Sequence, residues 1–204
     1  MRFWPWRGGN AERGIPFAIA LASVVALAAA SDSPERVFRA YIAARNRHDP
    51  GAILALTSPE VRAFDAEGKP HPYDPRRVRD VIAWEGGMHA RWKGRVLARD
   101  GAWLEVEASE ENDLDDALGV GAVVQRDRLR VEGGKILEWR GLEERSTGRE
   151  EGAAISEFKR WIESLPAELR VGALNNGQLL LNRESAGRHA VLIRRWREER
   201  SRPK

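Results

Sequence analysis

The residues best suited to chemistry in this 204-residue chain are a phenol and a carboxylate: Tyr41, within YIAARNRHDPGAI, and Asp65, before Ala66-Glu67-Gly68. In an apolar cavity a carboxyl group holds its proton more tightly, and a buried phenol stabilises developing negative charge by donating a hydrogen bond. Such groups together suit proton transfer. His89, between Trp84 and Trp92, is a further candidate base. Each also has an ordinary structural use: Tyr41 on a helix face, Asp65 in a turn, His89 at a helix end. The chain has 0 Cys, which removes disulfides, thiolate metal ligands and cysteine nucleophiles. It contains no HxH or HExxH pattern, no phosphate-cradling glycine loop and no nucleophile-elbow serine. Neither a metal nor a cofactor is therefore expected.

The charge is balanced, 34 Lys+Arg against 31 Asp+Glu, for a formal net charge of +3. There is no basic block interleaved with aromatics, so nucleic acid is not an expected partner. With 42% hydrophobic residues the chain can build a core. Residues 15–30, IPFAIALASVVALAAA, carry no charge, follow Arg2, Arg7 and Arg13, and end in small residues. That pattern describes a secretory signal peptide, and the run is short against the roughly 20 residues of a bilayer span. The expectation is export across the cytoplasmic membrane, to a periplasmic or secreted location. The alternative is an uncleaved N-terminal anchor, the only expected membrane contact, with Trp4 and Trp6 at the interface.

Ser33-Pro34, Asp49-Pro50 and Asp74-Pro75 each pair a cap with a proline at the first helical position. They predict three helices, the second stopped by Pro59 and the third carrying Val78, Val81, Ile82, Glu85 and Met88-His89. Val61 to Asp65 reads as a strand and 67–73 as a loop. Arg95 to Arg99 and Trp103 to Ala108 flank the turn Asp100-Gly101. Residues 110–116 read as an acidic connector, and Val120 to Val131 and Ile136 to Leu142 form a second hairpin around Gly133-Gly134. Arg126, Arg128 and Arg130 share one face, with Glu105 and Glu107 as cross-strand partners. After a polar break, Phe158, Trp161 and Ile162 fall on one helix and Val191, Ile193 and Trp196 on another. Helices on both sides of a block of strands predict an α+β fold.

The order helix, helix, strand, helix, hairpins over about 34–145, ending in VEGGKILEWRGL, resembles the nuclear transport factor 2-like superfamily, with its SnoaL-like and ketosteroid isomerase-like members. The resemblance implies a cystatin-like cone, a curved antiparallel sheet wrapped around helices with an apolar pocket. Residues 150–204 would be a helical extension. In the ketosteroid isomerase-like enzymes a Tyr on the first helix donates to the substrate oxyanion and an Asp ending the first strand moves the proton. Tyr41 and Asp65 stand 24 positions apart, as in that family. The family's second oxyanion donor is a protonated carboxylic acid on a late strand. Alignment on GGKI puts Arg126 there, with Asp127 one position off and on the opposite face of a regular strand. The expected pocket is Tyr41 and Asp65 with Val37, Trp84, Met88, His89, Trp103 and Arg126.

Two readings follow from the resemblance. One is an exported module that binds a small apolar ligand or a partner protein, with a homodimer allowed. The other is a small lyase or isomerase with Asp65 as base and Tyr41 as oxyanion donor.

Overall fold

The computed structural model describes residues 33–201, so the export segment at 15–30 lies outside the described residues. The three cap-and-proline signals open three helices: α1 (Pro34–Asn46), α2 (Pro50–Leu56) and α3 (Pro75–Gly87). The side chains of Ser33, Asp49 and Asp74 accept from the backbone N–H of Arg36, Ala52 and Arg76, satisfying donors the first turn leaves free. Between α2 and α3 run β1 (Thr57–Phe64) and the short β2 (Pro70–His71), which turns part of the expected loop into strand.

The rest of the sheet is β3 (Arg91–Asp100), β4 (Trp103–Glu111), β5 (Val123–Glu132) and β6 (Lys135–Ser146). The strand order is β2-β1-β6-β5-β4-β3. The sheet is curved and the fold is α+β, as expected, but the sheet is mixed rather than antiparallel. β3 to β6 form an antiparallel meander, whereas β1 pairs with β6 in parallel. A parallel pair needs a long crossover, which everything from β2 to β5 supplies. The β1–β6 register breaks between Thr57 and Arg62. Pro59, which has no N–H to give, falls in that break, so α2 ends at Leu56 and the proline lies inside the strand. The β5–β6 turn holds Gly133 at φ 57° and Gly134 at φ 73°, the paired positive φ of a tight hairpin.

The acidic stretch after β4 is helical: α4 (Asp113–Leu118). Asn112 caps it, accepting from Leu114 N and Asp115 N at 3.0 Å, and Gly119 closes it at φ 72°. Leu114 and Leu118, four apart, bury on one side. The tail continues as α5 (Glu151–Ser164), α6 (Ala167–Arg170), the hairpin β7 (Leu174–Asn175) and β8 (Gln178–Leu179), and α7 (Arg183–Ser201).

Two apolar clusters result. The first lies between α1, α2, α3 and the sheet, around Phe38, Ile82, Leu104 and Leu129. The second joins Trp84 and Met88 to Leu114, Phe158, Leu192 and Trp196, so the tail shares a core with α3 and α4. His189 is buried in it: Trp84 Nε1 donates to His189 Nδ1 at 2.9 Å, and His189 Nε2 donates to Ala173 O at 3.0 Å. Trp196 is buried, but Trp161 is only half-buried, stacked on Phe158 and donating to Glu199 Oε2 at 2.8 Å. Trp161→Ala should therefore cost roughly half the 3–5 kcal/mol of a fully packed aromatic, about 2 kcal/mol. Urea unfolding measures this, and an unchanged midpoint would contradict the docking of α5 on α7. No helix among the described residues is long and apolar enough to cross a membrane.

Candidate ligand pocket

The first core leaves a cavity of about 290 Å³ at its edge, between α1, β1, α3 and the inner face of β5 and β6. Its walls are mostly apolar, including Ile53, Val61, Val78 and Ile82. Tyr41 and Asp65 both line it. The other six expected residues do not.

Val37 is packed inside the main core rather than at the cavity. Trp84 and Met88 face the tail cluster, because the tail gives α3 a second apolar neighbour. His89 lies past the end of α3 at φ 50°, exposed, with Nδ1 at 2.7 Å from Asp113 Oδ2. Trp103 takes the outer face, since Leu104, Val106 and Ala108 are the buried set of β4. Arg128 stands 4.8 Å from the Trp103 ring centroid, a cation–π contact. Arg126 is exposed on that same face and paired with Glu105. Arg130 pairs with Glu132 at 2.6 Å, and Glu107 pairs with Arg95 at 2.8 Å instead of with the β5 row.

The residue missed is Asp127. On β5 the buried positions are Val123, Gln125, Asp127, Leu129 and Val131, and the register slips against β6 between Arg126 and Asp127. The alternation was readable: arginines at 126, 128 and 130 take the solvent face, so Asp127 takes the core face. Asp127 is 4% exposed, and its Oδ2 has no hydrogen-bond partner. Burial pushes its pKa up to about 7, against a hydrogen bond from Trp139, and the nearby Glu144 charge adds to the rise.

Tyr41 is 3% exposed, and burial pushes its phenol up to about 12. Arg45 Nη1 donates to Tyr41 Oη at 3.2 Å, which leaves the phenol proton to be donated elsewhere. Arg45 lies one turn further along α1 and is itself buried, with its guanidinium 4.0 Å from the Trp92 ring centroid. Burial disfavours its charge, but the salt bridge to the buried Glu85 of α3 keeps it firmly protonated. The Tyr41 and Trp139 rings stand 5.3 Å apart, so Tyr41, Trp139 and Asp127 form one continuous wall.

Asp65 serves a turn and the cavity at once. Its Oδ1 accepts from Lys69 N at 2.7 Å, its Oδ2 lies 3.3 Å from His71 Nε2, and Gly68 at φ 76° closes the turn. The arrangement can grip a hydrogen-bonding group at the Asp127 and Tyr41 wall while burying an apolar body. Among the described residues no group of three or more His, Asp or Glu could hold a metal ion.

No protein-family model matches the chain, and no curated protein matches it. Solved structures do. A cystatin-fold protein from Novosphingobium aromaticivorans is 13% identical with a TM-score of 0.45, covering 54% of this chain and 98% of its own. A nuclear transport factor 2-like protein of unknown function from Cytophaga hutchinsonii is 11% identical with a TM-score of 0.40, over 53% and 87%. An LEH-like epoxide hydrolase from M. tuberculosis is 15% identical with a TM-score of 0.41, over 53% and 80%. The likeness is one of fold.

Proposed function

We propose that the cavity binds a small molecule with a mostly apolar body and one hydrogen-bonding group that docks against Asp127. The observation that carries this reading is the unpartnered Oδ2 of a carboxyl only 4% exposed, set in an apolar wall. A buried polar atom without a partner costs about 1–3 kcal/mol, a cost a ligand donor or acceptor relieves. The charge-free run at 15–30 behind three arginines supports a site of action beyond the cytoplasmic membrane.

The test uses cyclohexylmethanol as a neutral probe, followed by NMR. Saturable shifts should appear at Asp127 and at the Trp139 indole. Ala63→Phe, which fills the cavity from β1, should abolish them. Absence of any saturable shift in the unsubstituted protein would overturn the reading.

A second reading, proton transfer with Asp65 as base and Tyr41 as oxyanion donor, is favoured by one observation. Both side chains line the same cavity, and the Tyr41 proton is not used by Arg45. Its test is deuterium uptake next to the carbonyl of 3-cyclohexenone. Uptake should fall about 10²-fold or more in Asp65→Asn. Equal uptake in both proteins removes Asp65 from the chemistry.

A further inference from the structure

Resting on the ligand-pocket reading, we infer that the polar group recognised at Asp127 is a cation, an ammonium carried on an apolar body. Acidic side chains outnumber basic ones around the cavity. Asp65, Glu67, Asp127, Glu143, Glu144 and Glu150 line it, on four separate segments of the chain. The two basic side chains in the wall are already committed, Arg45 to Glu85 and His71 to Asp65. A low-dielectric cleft edged by carboxylates focuses a negative potential inward, which draws cations and repels anions.

Asp127 makes this a site rather than an acidic rim. It is buried, its Oδ2 lacks a partner, and it stands at the wall formed by Tyr41 and Trp139. Burial is the main cause that disfavours ionisation of Asp127, and the field of the nearby Glu144 charge adds to it. An ammonium placed there reverses that field, pairs with the carboxylate and donates to the orphan oxygen. The rings of Tyr73 and Trp139 also line the cavity, and aromatic rings attract cations. An apolar body suits the part of the wall formed by Ile53, Val61, Val78, Val81 and Ile82, whose side chains cannot hydrogen-bond.

Isothermal calorimetry on the full chain, with three probes of one shape, tests the inference: cyclohexylmethylamine (protonated at neutral pH), cyclohexylmethanol and cyclohexanecarboxylate. The amine should bind about tenfold or more tighter than the alcohol, a difference of about 1.4 kcal/mol, and the carboxylate should not bind. The preference should shrink as salt is raised, because part of it comes from exposed carboxylates. Asp127→Asn should bring the amine-to-alcohol ratio close to one while retaining the alcohol. Glu144→Gln, at an exposed position, should lower the ratio in the same direction without touching the core. Equal affinity for amine and alcohol would overturn the cation assignment and leave the pocket reading standing. Failure of all three probes would overturn both.

Discussion

Glu85→Gln should cost the protein about 3–5 kcal/mol of folding stability, although the two side chains are nearly the same shape. Glu85 is 2% exposed and Arg45 is 5% exposed, and the arginine donates to Glu85 Oε1. The substitution strips a buried guanidinium of its main countercharge, with the weaker attraction of Glu110 remaining. The double variant Arg45→Met with Glu85→Leu should recover most of the loss, because a buried pair replaced by apolar groups of similar volume is often neutral or better. Urea unfolding of the two variants measures both effects. A loss below about 1 kcal/mol for Glu85→Gln is what a surface ion pair would give, and it would show that the pair is hydrated. The pair matters to the site because Arg45 also holds Tyr41 Oη, so the single variant should loosen the donor wall as well.

Asp127→Asn should have the opposite sign, and only above acid pH. A carboxyl whose folded-state pKa is raised contributes stability that is fully present below its ordinary value of 3.8 and is lost as pH rises through the folded value of about 7. At pH 8 the folded chain must carry a buried carboxylate, and the amide removes that charge while keeping an oxygen for Trp139 to donate to. The variant should therefore be more stable at pH 8 by at most roughly 4–4.5 kcal/mol, given about 1.4 kcal/mol per pKa unit. The two proteins should converge as pH falls toward 4. Thermal melts across that range are the check, and parallel profiles would mean that Asp127 is hydrated and the cavity open at its base.

What the sequence by itself determined is what depends on a few neighbouring residues. Ser33, Asp49 and Asp74 with their prolines start α1, α2 and α3, because a cap and a preset φ act within one turn. Asp100-Gly101 and Gly133-Gly134 make hairpins where read, because positive φ is a local demand. The order of those elements was enough for the α+β class, and the family resemblance it carries implied the curved sheet. The facing of Asp127 was also legible, in the alternation of three arginines against Val123, Leu129 and Val131, but alignment on GGKI obscured it.

Tertiary structure decided the rest. Residues 110–116 look like a solvated connector, but β4 runs on to Glu111 and α4 starts at Asp113, where Leu114 and Leu118 bury in the tail core. Trp84 and Met88 have the right types for a pocket wall, but a helix face buries against whichever neighbour reaches it. Here the tail occupies that side of α3. The parallel pairing of β1 with β6 joins residues 76 to 79 positions apart and leaves no local mark. The cavity is of the same kind. Its carboxylates come from β5, β6 and the turns after β1 and β6, and they stand together only once the curved sheet brings those segments to one edge of the core.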